Sequence, residues 1–371
     1  MKIAINATIL GEKPSGLGVY TINIIKEFVR LAKNEEIIIY TSNPEILGDL
    51  DNVKVIKTSK YLMPEYGKIA GGLRFLWSQF IMPIRSKSEK VDVLYSTTHH
   101  GMFLSNIKQI LTVHDLLPII YPKQHKLQYY YFKYILPILL KKSYKLVTVS
   151  QNTKNDLNKE YDYEKSKIFV VYNSYDKEHF KSSSDNKFKE KYGEYVLFLG
   201  ASYPHKNLIR TIKAFNSSII SDKHLKLIVA GGRKDYKETV KQYFSNSEAL
   251  KDVVFLDYIP YNDLPTLYSN ASLFVYPSLY EGFGIPPVEA MACGCPTIVS
   301  NTSSLPEVCG SSSHYFNPEN MEDISKSIEF VLTDSNVRKH LIESGYQNCE
   351  RFSWKLSANE IYRIIKGDQA S

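Results

Sequence analysis

Two rhythms alternate along this chain. Short, nearly continuous apolar runs are separated by longer stretches in which apolar residues recur at helical spacing. In the first half the runs at 2–7, 37–40, 53–56, 91–95, 110–113 and 146–149 are predicted strands. The stretch after the first loop, to about residue 32, is a predicted helix with Ile22, Ile25, Phe28 and Val29 on one face. In the second half the runs lie at 195–200, 227–230, 253–256, 273–276 and 297–300, with a helix predicted from Leu208. Apolar runs of this kind fit strands covered on both faces, and their alternation with helices predicts α/β domains built on parallel, doubly wound sheets. Two such series in 371 residues give two domains. The predicted division is 1–180 and 181–350, with the polar stretch 181–187 as linker. Residues 351–371 form a tail whose stretch from Trp354 to Ile365 reads as an amphipathic helix.

Two segments carry a second meaning. Residues 68–85 place Leu73, Phe75, Leu76, Trp77, Phe80 and Ile81 beside Lys68, Arg74 and Arg85. They read either as a core-facing helix with solvated basic ends or as a face that touches a membrane. Residues 123–145 mix Tyr129, Tyr130, Tyr131, Phe132 and Tyr134 with Lys126, Lys133, Lys141 and Lys142. That pattern fits a surface for a lipid-linked acceptor, or one helix packed on the sheet with its lysines in water.

Charge and cysteine content narrow the picture. The net charge of +7 suits an anionic partner, and no nucleic-acid motif accompanies it. The four cysteines, Cys293, Cys295, Cys309 and Cys349, lack metal-ligand spacing and are expected as free thiols in a reducing cytoplasm. No secretory signal and no apolar run long enough to span a bilayer is read. Asp49 and Asp51 fall in an early loop and read as a solvated turn, so neither a metal nor a cofactor is expected.

The most informative stretch runs from Tyr276 to Pro296: YPSLYEGFGIPPVEAMACGCP. A predicted strand leads into a glycine-containing turn, Pro286 and Pro287 sit where a helix begins, and Gly294 where it stops. Glu281 is expected in the loop at the strand's carboxyl end and Glu289 in the first turn of the helix. Carboxylates beside free N–H groups at a helix N-terminus suit an anionic or hydroxyl-rich ligand. Other loops are of the same kind. Gly16-Leu17-Gly18 opens the first helix, Lys206 stands where the 208 helix begins, and His114 follows the strand at 110–113.

Glu281 and Glu289 with seven residues between them, in the context EGFGIPPVEAMACGCP, resemble the Glu-x7-Glu motif of retaining glycosyltransferases of family 4. The resemblance covers essentially the whole chain. It implies the GT-B fold: two Rossmann-like doubly wound parallel-sheet domains facing a cleft, with the C-terminal helix crossing back to the first. It implies transfer of a hexose from a nucleotide diphosphate sugar with retained configuration, independent of metal. By the same resemblance Lys206 binds the donor diphosphate together with Gly16 and Gly18, and His114 lies by the donor sugar. Glu281 holds the sugar and diphosphate region, the backbone of Phe283, Gly284 and Ile285 grips sugar hydroxyls, and Glu289 accepts from the ribose. His114, Glu281 and Lys206 are thus the catalytic candidates. Many members carry Arg after the loop glycine where this chain has Ala201, which leaves His205 or another residue to compensate. The motifs around His114 and SYPHKN resemble bacterial polysaccharide mannosyl- and rhamnosyltransferases. GDP-mannose is therefore the leading donor, ahead of a dTDP- or UDP-sugar, and the acceptor a growing, lipid-linked surface glycan. The enzyme is then expected in the cytoplasm, peripheral at the inner face of the membrane. Two rivals are a non-catalytic nucleotide-sugar-binding subunit and a nucleotide-sugar epimerase.

Overall fold

The computed structural model describes residues 1–13, 15–218 and 225–367. The chain divides into two units, Met1–Ser174 with Ser353–Ser371, and Tyr175–Phe352. The polar stretch 181–187 lies inside the second unit rather than between the two. Ser183 N there donates to Ser269 Oγ, Asn270 Nδ2 donates to Asp185 O, and Lys187 pairs with Asp263.

The first unit holds a sheet of β1 (Lys2–Asn6), β2 (Glu36–Thr41), β3 (Val53–Lys57), β4 (Val93–Ser96), β5 (Lys108–Val113), β6 (Lys145–Thr148) and β7 (Ile168–Val170). Its order is β3-β2-β1-β4-β5-β6-β7 and every pairing is parallel. The second unit holds β8 (Tyr195–Leu199), β9 (Lys226–Ala230), β10 (Val253–Leu256), β11 (Leu273–Tyr276), β12 (Thr297–Ser300) and β13 (His314–Phe316). Its order is β10-β9-β8-β11-β12-β13, again parallel throughout. Central strands are buried along nearly their whole length, as the apolar runs require, whereas β3 at the edge exposes Lys54 and Lys57. The strands not anticipated, β7 and β13, are three residues each and lie at sheet edges.

In each sheet the order reverses at one place, between β1 and β4 in the first unit and between β8 and β11 in the second. Loops leaving the carboxyl ends of such neighbours open a crevice, which is where open α/β sheets bind ligands.

The tail helix, Trp354–Lys366, belongs to the first unit and packs on the Gly16–Leu31 helix. Trp354 meets Tyr20 edge-on with ring centroids 5.9 Å apart, and Tyr362 meets Phe28 at 5.8 Å. Tyr362 and Lys366 both donate to Glu35 at 3.0 Å. Two helices differ from the sequence expectation. Gly67–Leu76 and Lys126–Tyr130 each pass through a π-helical turn, at Trp77–Ile81 and Tyr131–Ile135, before continuing as Met82–Ser88 and Leu136–Lys142. Pro83 and Pro137 cause it: each lacks the N–H an α-helical bond needs, and the ladder shifts to Met82 N→Trp77 O and Leu136 N→Tyr131 O.

Candidate active site

The loop after β11 is shaped by its glycines and by its neighbours. Gly284 sits at φ 98° and caps the helix Ile285–Ala292, and a Cβ there would lie 2.7 Å from Leu305 Cδ2. Only glycine fits that turn. The prolines then occupy the second and third helical positions, where a missing N–H costs nothing. Glu289 is consequently the fifth residue of the helix, in its second turn rather than its first. The loop is tied down by Ser304, whose hydroxyl donates to Glu281 O and Phe283 O at 3.0 and 2.8 Å. Glu281 N donates to Ser303 Oγ at 3.0 Å. Ser303 holds a left-handed φ of 54°, an unfavourable conformation for a side-chain-bearing residue, and strain of this sort gathers at functional sites.

Lys206 ends the short 3₁₀ turn Pro204–Lys206 after β8, one residue before Asn207 caps the helix Leu208–Ser217. Asn207 takes φ 65°, which Asn tolerates, and its Nδ2 donates to Pro318 O at 2.7 Å. The loop is stitched to the β11 loop by Leu279 N→His205 O at 2.8 Å. Because β8 and β11 are adjacent, Lys206 Nζ reaches Glu281 Oε1 at 2.6 Å and Tyr276 Oη at 3.0 Å, and lies over the Tyr276 ring. The side chains of Lys206 and Glu281 are 18% and 11% exposed. Burial works against both charges, but the pair overrides it. The Glu281 carboxylate and the Tyr276 hydroxyl hold Lys206 above the ordinary lysine value, and Lys206 holds Glu281 below the ordinary carboxylate value.

Glu289 has a different environment. It accepts from the buried Tyr268 hydroxyl at 2.9 Å and pairs with no cation among the described residues, so burial raises its pKa to about 7 despite that bond. Phe283 packs edge-on against Phe352 at 5.4 Å.

The first unit places its candidates at its own switch point. The Gly16–Leu31 helix makes its first internal bond from Val19 N to Ser15 O, so the N–H groups of Gly16, Leu17 and Gly18 precede the ladder. His114, just past β5, donates from Nε2 to Thr97 O at 2.8 Å, past the end of β4. Tyr20 stands edge-on to its ring at 4.6 Å and bonds Tyr95 Oη at 2.8 Å. Burial lowers the His114 pKa to about 4, against the opposing pull of the Thr97 carbonyl, so the ring is neutral near pH 7. His99 and His100 stack on one another at 4.5 Å beside Tyr131, and His100 Nδ1 bonds Thr98 Oγ1 at 2.9 Å. His205, offered as a substitute for the absent Arg, is buried and stacked on Tyr203. Arg233 N donates to Ala201 O at 2.9 Å.

Sequence reasoning overlooked Tyr276, Tyr268, Ser303 and Ser304 in the second unit, and Tyr20 and Thr97 in the first. Tyr276 opens the stretch already singled out, and Tyr20 lies two residues past Gly18. Tyr268 is brought in from a neighbouring helix, and Thr97, Ser303 and Ser304 from the segments that follow β4 and β12. Asp49 and Asp51 are exposed in the loop before β3. All four cysteines are free and buried. Among the described residues no group of three or more His, Cys, Asp or Glu is placed to hold a metal, and no helix is long and apolar enough to cross a membrane.

The chain as a whole is similar to known proteins. The model for glycosyl transferases group 1 matches residues 178–348, and that for glycosyltransferase family 4 matches residues 14–179. The O-antigen chain mannosyltransferase RfbU of Salmonella typhimurium is 33% identical over 334 residues, 88% of this chain and 90% of that protein. The O-antigen chain mannosyltransferase B of Escherichia coli is 28% identical over 267 residues, 70% of each chain. Among solved structures, Anabaena HepE in complex with UDP-glucose superimposes with a TM-score of 0.75 at 16% identity, over 99% of this chain and all of that one, and shares the fold.

Proposed function

The chain belongs to glycosyltransferase family 4, with the GT-B fold, and is a hexosyltransferase; from that premise we propose that it moves mannose from GDP-mannose to a hydroxyl of a growing, lipid-linked surface glycan, with retention and without a metal. The observation that carries this reading is the Lys206–Glu281 pair at the β8–β11 switch point. An ammonium held there by a single carboxylate is exchanged for contact with a diphosphate as the donor enters. Lys206 then steadies the leaving nucleotide; the N–H groups of Gly16 and Gly18 are donors of a kind suited to a phosphate. Glu281, released, accepts from the sugar, and the backbone at Phe283, Gly284 and Ile285 meets its other hydroxyls. Glu289 accepts from the ribose. His114, neutral and with Nε2 committed to Thr97, presents Nδ1 as an acceptor to the donor sugar.

No residue is assigned as a nucleophile. The bond from the anomeric carbon to the phosphate oxygen breaks while the acceptor oxygen bonds to the same face. The acceptor's proton passes to the departing phosphate. The mannose assignment rests on the similarity to the two O-antigen mannosyltransferases. A UDP- or dTDP-sugar is the second reading, favoured by the UDP-glucose complex of HepE. The enzyme would work in the cytoplasm, peripheral at the inner face of the membrane.

Thermal-shift titration with GDP, UDP and dTDP in EDTA, repeated with Glu289→Ala, tests the donor. A ligand that binds only the native state raises the melting temperature by mass action. A shift with GDP alone, lost in the variant, is the expected result. A shift only with UDP or dTDP moves the donor, and none with any nucleotide removes the assignment. NMR of the product formed from GDP-mannose reads the anomeric configuration.

A further inference from the structure

Two stretches of the first unit read almost alike: Phe80-Ile81-Met82-Pro83-Ile84 and Tyr134-Ile135-Leu136-Pro137-Ile138. They occupy equivalent places in the two π-bulged helices. Each helix buries one side in its own core, Trp77 and Met82 in one and Phe132 and Leu136 in the other. Each then exposes apolar residues on the far side: Phe80 is 56% and Ile84 70% exposed, Tyr134 57% and Ile138 45%. The helices meet where Phe75 stands edge-on to Tyr131 at 6.0 Å. A shallow apolar groove of about 330 Å³ runs there, lined by Phe75, Tyr130, Tyr131, Tyr134 and Ile135. Exposed apolar surface concentrated in this way marks an interaction site.

The charge pattern says what covers it. No Asp or Glu occurs between Glu65 and Glu89, or between Asp115 and Asp156, while the second interval carries seven lysines. Lys126, Lys133, Lys141 and Lys142 are exposed on the second helix, and Lys133 lies over the rings of Tyr129 and Tyr134. Arg74 is spent internally on Leu62 O and takes no part. Exposed apolar side chains and aromatic hydroxyls beside exposed lysines, with no carboxylate in either segment, match the boundary between head groups and acyl chains of an anionic bilayer.

We propose that these two helices form a docking face for an anionic phospholipid surface. Phe80 and Tyr134 enter the head-group boundary, and the lysines of the second helix meet lipid phosphates. The inference extends the peripheral-membrane reading above and rests on it for its purpose, while its test does not use the donor site. Flotation of the full chain would be measured with vesicles of phosphatidylcholine alone and of equal parts phosphatidylcholine and phosphatidylglycerol. Binding to the mixed vesicles only, weakened by salt, is expected. Lys133→Glu with Lys141→Glu and Lys142→Glu should weaken it by at least about fivefold per lysine, and Phe80→Ser with Tyr134→Ser by roughly tenfold. Both variants should keep the nucleotide-induced thermal shift, which reports folding and the donor site separately. Equal binding to both vesicles, binding to neither, or concentration-dependent self-association abolished by Phe80→Ser would each overturn the proposal. A lost nucleotide shift with intact flotation would instead count against the donor assignment and leave this face standing.

Discussion

At the switch point of the first sheet the side chains that meet are neutral. Tyr20, Tyr95 and His114 pass hydrogen bonds and ring contacts among themselves and to Thr97 and Thr112. At the equivalent place in the second sheet they are charged: Lys206 on Glu281, with Glu289 on Tyr268. The strand order around the two reversals is the same. A doubly wound sheet thus settles where a site lies, and the residues ending the strands settle what it can do. A half built from hydroxyls and a neutral imidazole suits hydroxyl recognition, and a half built on an ion pair suits a diphosphate. Substitutions that disturb one half and not the other test that division.

The largest effect should come from Lys206→Ala. It strands a mostly buried carboxylate and removes the only ammonium that Glu281 contacts among the hydrogen bonds and ion pairs described. The second unit should lose about 3 kcal/mol, and transfer should fall by about a hundredfold or more. Lys206→Ala combined with Glu281→Gln removes the unpaired charge, and should recover stability without recovering turnover. Calorimetry and initial rates with GDP-mannose read the two quantities separately. A rate for Lys206→Ala within about threefold of the parent would locate the diphosphate elsewhere.

Acid should separate the halves next. His114 titrates at about 4 in the folded chain, below its ordinary 6.5. Between those values the unfolded chain takes up a proton that the folded one refuses. The stability present above pH 6.5 is therefore lost as the pH falls through that window. His99, which burial and the neighbouring imidazole and guanidinium charges lower to about 3, has the same sign. His114 alone should weaken the first unit by on the order of 3 kcal/mol between neutral pH and about pH 4, and His99 adds to it. Hydrogen exchange in peptides from β4 to β6 reads this, and His114→Gln should remove part of the pH dependence. A flat profile in the parent would mean that the imidazole is not held neutral.

Much of this was legible in the sequence, for reasons that also explain the rest. Buried parallel strands must be apolar along their length, so most of them announce themselves. β7 and β13 do not, because three residues at a sheet edge carry too little pattern. Gly284, Pro286 and Gly294 mark the turn, helix start and helix end by their backbone chemistry. The placement of Glu289 slipped by a turn because Gly284, not a proline, is the cap. The Lys206–Glu281 pair was hidden, since each residue was read as facing a ligand. They meet only because β8 and β11, far apart in sequence, are neighbours in the sheet. The prolines of the two basic helices were visible. Their effect, a π turn within a continuing helix, depends on packing that local sequence does not encode.

The smallest effect, and the one that sharpens the contrast most, belongs to Glu289. Its pKa of about 7 lies above the ordinary 4.5, the opposite of the shift at His114. Here the unfolded chain releases its proton first. The stability this group contributes is fully present below pH 4.5 and is lost as the pH rises towards 7. Nucleotide binding should run the other way. A protonated carboxyl has lost acceptor capacity, whereas the ionised form, with Tyr268 donating to Oε2, keeps Oε1 for a ribose hydroxyl. GDP affinity should therefore rise about fivefold between about pH 6 and about pH 8. In Glu289→Gln both slopes should flatten together, affinity by calorimetric titration and apo-state melting by thermal shift. Loss of one slope without the other would mean that the titrating carboxyl and the ribose acceptor are different groups. If both vanish, the site holds an acceptor whose ionisation burden on the empty protein is offset when the nucleotide arrives.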